Sequence, residues 1–484
     1  MKRTFLKFLP IAAAVLLATS CSKDNDGDNS VASAPTVETQ HFASPIESKS
    51  VTFSIKVTGG GSLSKVTYKD NGSIVTVKFD ASDKGKKMLR ISDGNVMTEL
   101  PLKEVDANGV ATFEGDWGEV TEPSVGAEMT AVLLDVDASP IQDHSDFSTV
   151  SIEALMESCD HTYTGTFQYK TDNIVSLKDD KAYIEIIMSP LQKDIDLKFN
   201  SDDTPTNYAM NGGKVWIAVA DGTTFTTNFT DSKTCQAGQI KTIKREGFVD
   251  LGINKYGNFT GILWADHNLG GTNPEDYGNY YAWGETATKE TYNWITYMYA
   301  NGDYNKLTKY CNNTSYGNDG FTDSYTVLGR YEIEGQETVD DDIAHVTNAK
   351  WSMPTTSEFA ALKSSCYWEW TDKYDGKTFN SADAAGIIVY KVKSSGDAGV
   401  WVTKNGTKKE GYSLSDTHIF LPAAGYRYLS KLNEAGTIGR YWSSSLYTDK
   451  PTGAFDLYFH SGDVSAPYHD LRTMGQSVRA VRRK

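Results

Sequence analysis

Hydrophobic and polar residues alternate along the first part of the chain. The apolar members of two such runs are Val51, Phe53, Ile55 and Val57, followed by Val75, Val77 and Phe79. Gly59-Gly60-Gly61 ends the first run, and Asp70-Asn71-Gly72 precedes the second. A period of two bounded by glycine and asparagine is typical of half-buried antiparallel strands joined by hairpins. The pattern predicts a β-sandwich over residues 36–157.

A second β unit is predicted over residues 158–246. Its strand candidates are Tyr163–Tyr169, Ala182–Met188, Ile195–Phe199 and Val215–Val219. Between the two units, Ser151–Cys159 is interpreted as a short helix or a linker, because its apolar residues fall on one helical face.

The amino terminus has the pattern of an export signal. A positively charged start leads into the short apolar stretch Phe8–Leu17, and small residues then lead to Cys21. The stretch is too short for a membrane span, which needs ~20 apolar residues. Small residues ending at a cysteine resemble a bacterial lipobox, so residues 1–20 are predicted to be a lipoprotein signal peptide and Cys21 to be lipidated. The alternative is an ordinary secretory signal with an incidental cysteine.

Residues 21–35 are polar, small and acidic, which predicts a flexible tether with too little apolar surface to fold. Their Lys23–Asp28 segment resembles the acidic signals that send lipoproteins to the outer surface. Asp24, Asp26 and Asp28 alternate as in a calcium loop, but Pro35 stands where an EF-hand needs a glutamate. We therefore reject a calcium site here.

The net charge of the chain argues against nucleic-acid binding. The chain has 484 residues and a formal net charge of −16, whereas nucleic-acid binding needs a basic surface. We predict no nucleic-acid partner.

Besides Cys21 there are Cys159, Cys235, Cys311 and Cys366, none in a CxxC pair. The simplest pairing within domains is Cys159 with Cys235 and Cys311 with Cys366, and free buried thiols are the alternative.

Residues 247–484 carry a series of tryptophan-, glycine- and tyrosine-centred motifs. In order they include Asp250-Leu251-Gly252, Leu263-Trp264-Ala265, Pro274–Gly278, Tyr281–Glu285, Trp351–Thr355, Leu421–Arg427, Tyr441–Ser445 and Gly475–Arg482. This series resembles the Fibrobacter succinogenes major paralogous domain, which is frequent in surface lipoproteins of Bacteroidetes-type bacteria. The resemblance implies an α+β, C-type-lectin-like domain that acts as a scaffold for binding.

The two N-terminal units resemble fimbrillin-like pilin and lipoprotein domains. Thr164-Gly165-Thr166, Gly213–Val219 and Ala237–Ile243 carry that resemblance. It implies a mainly β chain with two transthyretin-like β-sandwiches and other pilin subunits as partners. Stalk subunits of that family polymerise by strand donation after cleavage at an N-terminal arginine. Here the first arginine after Cys21 is Arg90, and the lectin-like domain occupies the carboxyl end, so we predict a tip or stand-alone subunit.

Several residues of the C-terminal half are predicted to be structural. Thr355 and Glu358 have the spacing of a helix capping box. Large aromatic side chains favour the core, so we predict that most of the following tryptophans lie there: Trp264, Trp283, Trp351, Trp368, Trp370 and Trp442. Val478, Ala480 and Val481 suit a final strand, with Arg479 and Arg482 facing outward or paired locally.

Motifs for catalysis and metal binding are weak. The sequence has no GxSxG, HExxH or P-loop, and His460 with His469 lacks a third ligand. For Glu275, Asp276 and Asp340–Asp342, solvated loop acids are favoured over calcium ligands. Formylglycine-generating enzymes have a related fold and use cysteines near the carboxyl end, yet no cysteine follows Cys366. We predict no enzyme, no cofactor and no metal.

Surface recognition is the remaining function. Tyrosine among small polar residues combines rigid contact area with adaptable hydrogen bonds. The predicted ligand-binding residues are Tyr447, Asp449, Lys450, Tyr458, His460, Tyr468, His469, Asp470 and Arg472. The leading hypothesis is an outer-membrane, lipid-anchored adhesin on the cell surface that recognises a glycan or protein. A glycan-capture accessory protein and an enzyme of the formylglycine-generating type are the alternatives.

Cys21→Ala tests the anchor. The variant has no thiol to carry a lipid, so we expect it to leave the membrane fraction, as measured by fractionation and by protease accessibility on intact cells. A variant that stays on membranes and remains accessible on the surface would contradict the lipobox assignment.

Overall fold

The computed structural model describes residues 53–58, 79–135, 155, 162–172, 174–195, 197–199, 208–227, 232–245, 247–253, 261–332 and 337–484. The predicted signal peptide, Cys21 and the tether lie outside the described residues, as do Val75, Val77 and Cys159. Of the segment interpreted as a helix or linker, only Leu155 is described, and it is buried.

The chain is mainly β, as predicted, and its first sheet contains eight strands in the order β7-β1-β4-β3-β2-β5-β6-β8. The strands are β1 (Phe53–Thr58), β2 (Lys87–Ser92), β3 (Met97–Val105), β4 (Val110–Gly115), β5 (Glu128–Asp135), β6 (Tyr163–Gln168), β7 (Ile174–Ser176) and β8 (Lys178–Asp179). A short 3-10 helix, Ala81–Asp83, precedes β2. The alternation predicted for β1 is confirmed, because Ile55 and Val57 are buried in the core of this sheet.

The strand predicted from Tyr163 forms as β6, which is part of the first sheet. It pairs antiparallel with β5, with Phe167 opposite Met129, and both side chains lie in the core of the first sheet. The alternation shows that one face of this strand is buried, but it does not show which sheet the strand joins. The predicted division after residue 157 stays a prediction.

Two smaller sheets follow. One contains β9 (Lys181–Met188), β11 (Tyr208–Asn211), β12 (Lys214–Ala220) and β15 (Ile240–Arg245), in the order β11-β12-β9-β15. The other contains β10 (Leu197–Phe199), β13 (Thr224–Thr227) and β14 (Ser232–Thr234). The strands predicted over Ala182–Met188 and Val215–Val219 are thereby confirmed. Both are largely buried.

In its described residues, the C-terminal half has three 3-10 helices, Asn318–Gly320, Tyr374–Gly376 and Ser395–Asp397, besides many short strands and two α-helices. The strands and α-helices are β16 (Phe248–Asp250), β17 (Ile262–Ala265), β18 (Arg330–Tyr331), β19 (Val339–Asp340), α1 (Ile343–Thr347), α2 (Thr356–Ser365), β20 (Tyr367–Thr371), β21 (Thr378–Phe379), β22 (Ala382–Asp383), β23 (Gly386–Tyr390), β24 (Trp401–Val402), β25 (His418–Pro422), β26 (Tyr426–Tyr428), β27 (Lys431–Asn433), β28 (Ile438–Leu446), β29 (Gly453–His460), β30 (Asp463–Leu471) and β31 (Val481–Arg483). Its larger sheets run β16-β17-β31, β24-β20-β23-β25 and β28-β29-β30.

A final strand forms as β31, but it contains only Val481 of the three residues predicted for it, because Val478 and Ala480 precede the strand. β31 pairs antiparallel with β17, with Val481 opposite Trp264, so the end of this half lies beside its beginning.

The capping box at α2 is also confirmed. Thr355 Oγ1 accepts from the Glu358 amide at 3.2 Å, and the Thr355 amide donates to Glu358 Oε2 at 2.7 Å. Arg483 donates to both Glu358 oxygens, so this buried carboxylate is structural.

The second β unit and the C-terminal half share one core. Ile186 and Ile217 lie in the same apolar cluster as Trp283 and Trp442. Polar contacts cross the same boundary: Ser189 Oγ donates to Asp266 at 2.8 Å, and the Lys193 amide donates to Thr417 Oγ1 at 2.9 Å. Residues 181–245 therefore pack against the C-terminal half rather than linking to it loosely.

The tryptophan prediction holds for most positions. Trp264, Trp283, Trp368, Trp370 and Trp442 are buried, whereas Trp351 is partly exposed and packs against Phe248. No helix in the described part of the chain is long and apolar enough to cross a membrane.

Trp442→Ala tests this core. Trp442 is fully buried and its indole N–H donates to the Tyr281 carbonyl at 2.9 Å. Deleting it leaves a cavity and removes one of the two hydrogen bonds to that carbonyl, which also accepts from the Gln476 amide at 3.1 Å, so we expect a loss of about 3–5 kcal/mol in the free energy of unfolding. Urea denaturation measures this loss. Val346→Ala, at an exposed position, is the control and should change stability little; an equally small effect of Trp442→Ala would contradict the packing.

Candidate recognition face

The sheet β28-β29-β30 carries most of the predicted ligand-binding residues. β28 and β29 pair antiparallel with Arg440 opposite Tyr458, and β29 and β30 pair with Asp456 opposite Tyr468. Buried Tyr441 and Leu457 face the core. The strand pairing thus brings together side chains that are separated in the sequence.

Five polar aromatic side chains form a row on this sheet, which we call the aromatic row. Tyr447 stacks on His469 with ring centroids 3.9 Å apart. His469 is followed by Tyr468 at 6.0 Å and Tyr468 by Tyr458 at 4.8 Å, both with nearly parallel rings. His460 meets Tyr458 edge-on at 5.7 Å. Five sequence-predicted residues are therefore neighbours in one continuous array.

Arg440 joins the aromatic row to a neighbouring hairpin. Its guanidinium carbon lies 4.9 Å from the Tyr458 ring centre, 5.2 Å from that of Tyr468 and 5.1 Å from that of Tyr426 on β26. A guanidinium at these distances is attracted to the ring faces. Sequence reasoning missed both Arg440 and Tyr426, because only the pairing of β28 with β29 and the approach of β26 reveal their contact.

Two carboxylates balance the charge of Arg440. One of its terminal nitrogens contacts Asp470, and the same nitrogen lies 3.4 Å from Asp456 Oδ2. Asp456 is almost fully buried. Burial raises the pKa of the Asp456 carboxyl to about 7, although Arg440 acts to lower it and Asp470 raises it further. Close to neutral pH, this carboxyl exchanges its proton beneath the aromatic row.

Three further predicted residues, Asp449, Lys450 and His460, lie in or beside the turns of this sheet. Asp449 and Lys450 are exposed in the turn between β28 and β29, where the Lys450 amide donates to the Tyr447 carbonyl at 3.2 Å. His460 is half-buried, and its Nδ1 accepts from the Gly462 amide at 3.0 Å. Their roles in ligand binding stay predictions.

Arg472 corrects the prediction, because it is fully buried rather than exposed. Its guanidinium donates to Tyr297 Oη at 2.8 Å and to three backbone carbonyls, those of Tyr310, Pro451 and Lys309, at 2.9–3.0 Å. The Trp283 ring lies 5.1 Å away. Each of the three guanidinium nitrogens is hydrogen-bonded within the protein, so Arg472 supports the loops behind the sheet, and its role in ligand binding stays a prediction.

Arg479 corrects the expectation that it faces outward. It is fully buried and donates to Asn268 Oδ1 at 3.0 Å, to the Ala265 carbonyl at 2.9 Å and to the Phe420 carbonyl at 2.8 Å. Two chain segments far apart in sequence, residues 265–268 and Phe420, thus converge on one guanidinium. Burial lowers its pKa.

The acidic loops are structural rather than solvated. Asp341 is buried and accepts from the Tyr299 and Tyr310 hydroxyls at 2.7 and 3.0 Å. Asp342 is also buried and caps α1 through the amides of Ala344 and His345. The expected exposure of these two acids is therefore wrong. Within the described ranges, no group of three or more His, Cys, Asp or Glu side chains is arranged to hold a metal ion.

The described cysteines, Cys235, Cys311 and Cys366, are free and buried. The predicted pairing of Cys311 with Cys366 is wrong, and the partner proposed for Cys235 lies outside the described residues. Burial raises the pKa of Cys235 to about 11 and also raises those of Cys311 and Cys366. Thiols with raised pKa values are poor nucleophiles near neutral pH, since the thiolate is the reactive form.

The chain matches no protein-family model and no curated protein sequence. Two solved structures share limited similarity with it. A fimbrial assembly protein from Parabacteroides distasonis ATCC 8503 is 11% identical and matches over 40% of this chain and 91% of that chain, with a TM-score of 0.20. A fimbrial protein from Bacteroides ovatus ATCC 8483 is 8% identical and matches over 86% of this chain and 99% of that chain, with a TM-score of 0.21.

Asp456→Asn tests the protonation of the buried carboxyl. Its pKa rises from 3.8 to about 7 in the folded chain, so between these values the folded state keeps a proton that the unfolded state releases. In that window, this group lowers the free energy of unfolding as pH rises, by up to about 1.4 kcal/mol per pH unit. Asparagine lacks this contribution.

We therefore expect the stability difference to shift in favour of the Asp456→Asn variant as pH rises from about 4 to about 7. Urea denaturation of both proteins across this range measures the shift. Parallel pH profiles would show that Asp456 stays ionised in the fold.

Proposed function

We propose that this chain is a bacterial surface-binding protein that recognises a glycan or protein ligand through the β28-β29-β30 sheet. The observation that carries the proposal is the aromatic row. Tyr468 and His469 are exposed and Tyr447, Tyr458 and His460 are partly exposed, although burying such rings would stabilise the fold. Tyrosine and histidine held in one array on a rigid sheet offer contact area at little cost in conformational entropy.

The location at the outer surface belongs to the same proposal. It rests on the sequence, in which small residues lead to Cys21 and a polar segment separates that cysteine from the first strand. The motifs shared with fimbrillin-like domains add a pilus-tip or stand-alone subunit, and association with other pilin subunits. Two similar solved structures are named as fimbrial proteins.

A glycan-capture accessory protein is a weaker alternative. Such proteins are expected to present tryptophan in a flat exposed patch. All ten tryptophans lie in the described part of the chain and none is among its exposed residues; the least buried are Trp294, Trp351 and Trp401, which are partly exposed. Tyrosine and histidine, not tryptophan, form the exposed aromatic surface.

We also propose that the chain is not an enzyme. A formylglycine-type mechanism requires cysteine thiols that reach a substrate. The thiols of Cys235, Cys311 and Cys366 are buried and have raised pKa values. Turnover of a sulfatase peptide that is lost in Cys311→Ser or Cys366→Ser would contradict this part of the proposal.

Alanine variants of Tyr447, Tyr458, Tyr468 and His469 test the recognition face. Aromatic residues dominate binding energy at interfaces, so we expect each variant to weaken binding to host-cell or glycan surfaces by roughly tenfold or more. The melting temperature should change little, because none of the four is fully buried. Val125→Ala, at an exposed position in the turn before β5, is the control. Lower melting temperatures with unchanged binding would make these residues structural and place the ligand elsewhere.

A further inference from the structure

The hairpin formed by β26 and β27 continues the recognition face. Tyr426 contacts Arg440, which also contacts the aromatic row. Tyr428 lies two residues further along β26, and alternate residues of a strand share a face. Tyr428 is exposed. The polar aromatic surface therefore extends from the aromatic row, through Arg440 and Tyr426, to the tip of the hairpin.

Leu429 occupies that tip in an unfavourable backbone conformation. The two strands pair up to Tyr428 opposite Lys431, so Leu429 and Ser430 form a two-residue turn. Leu429 has φ 53°, a left-handed conformation that costs a non-glycine residue roughly 1–2 kcal/mol. Its side chain is 46% exposed. A glycine would relieve this strain, so the leucine at this position is not explained by the stability of the turn.

The tip is held rigidly and has apolar neighbours. The Leu429 amide donates to the Tyr292 carbonyl at 3.0 Å, and the Tyr292 amide donates to the Leu429 carbonyl at 2.9 Å. Leu432 is 38% exposed on the same hairpin, and Ile295, three residues beyond Tyr292, is 80% exposed. Two bonded loops thus present branched aliphatic side chains to solvent in a fixed arrangement, which reduces the entropy lost on binding.

Two features of the aromatic row disfavour a carbohydrate ligand. Its central rings stack on one another, so they present edges and hydroxyl groups where a sugar would need an open ring face. The positive charge of Arg440 is balanced by Asp470 and Asp456, which leaves it poorly suited to bind an acidic sugar. Ring edges and hydroxyl groups instead suit hydrogen bonds to a polar protein surface.

We propose that the ligand of the recognition face is a protein, and that Leu429 is the anchor that enters an apolar pocket of that protein beside the contacts made by the aromatic row. This inference rests on the proposed binding function and narrows its ligand class. A branched aliphatic anchor gains binding energy by leaving water for a concave apolar site, which a folded protein provides and an oligosaccharide does not. Arg427 and the exposed Lys431 flank Leu429 on the hairpin, so a neutral or acidic rim around that pocket is favoured.

Leu429→Gly separates binding from folding. Glycine adopts the positive φ without strain, so the variant should keep or raise the melting temperature while losing the anchor. The full chain is probed on two arrays, one of purified extracellular proteins and one of neutral and acidic oligosaccharides. We expect binding to a protein probe that Leu429→Gly weakens on the order of tenfold or more. Leu429→Met keeps an apolar side chain and should retain most of the binding to this probe. Val125→Ala is the control, and its binding should be unchanged.

The array results distinguish a failure of the Leu429 anchor from a failure of the whole recognition face. Binding to an oligosaccharide that survives Leu429→Gly overturns the inference, as does protein binding that Leu429→Gly leaves unchanged. If Tyr468→Ala abolishes binding in either case, the proposed recognition face stands and only the protein anchor fails. If neither array binds the chain, or if Tyr468→Ala and Leu429→Gly are both without effect, the inference and the recognition face fail together.

Discussion

Two buried guanidinium groups near the carboxyl end fix the framework on which the recognition face depends. Among the described residues, no carboxylate lies within hydrogen-bond distance of Arg472 or Arg479. Both are instead satisfied by backbone carbonyls, a tyrosine hydroxyl and an asparagine oxygen. Leaving such buried donors unpaired would cost several kcal/mol. The loops that supply the acceptors must therefore keep their positions whenever the final segment is folded.

This framework explains why aromatic residues remain on the surface of β28-β29-β30. The inward face of the sheet is already filled by Tyr441, Leu457 and Phe459, and the arginine contacts support the loops around it. The outward rings are not needed for the core. Arg440 shows the contrast with Arg472 clearly: both contact aromatic rings, but Arg440 lies among partly exposed tyrosines and has its charge balanced by two aspartates.

The support extends into the second β unit. Its central strands β9 and β12 contribute Ile186 and Ile217 to the core that also contains Trp283 and Trp442. The β28-β29-β30 sheet contributes Trp442 and Ala454 to this shared core, so residues on both sides of the predicted boundary at residue 246 hold the sheet in place. Removing a core side chain from either part should therefore disturb the packing of both, because closely packed interiors transmit changes in volume.

The sequence by itself determined the features that depend on near neighbours along the chain. The alternation around Ile55 and Val57, the strands at Ala182–Met188 and Val215–Val219, and the capping box of Thr355 and Glu358 are local patterns, and the structure confirms them. Only the tertiary structure decided which sheet takes β6, and whether an arginine near the carboxyl end is exposed or buried. Arg479 bonds to Ala265, 214 residues away. No local pattern records such a distant acceptor, and without it a charged side chain is expected in water.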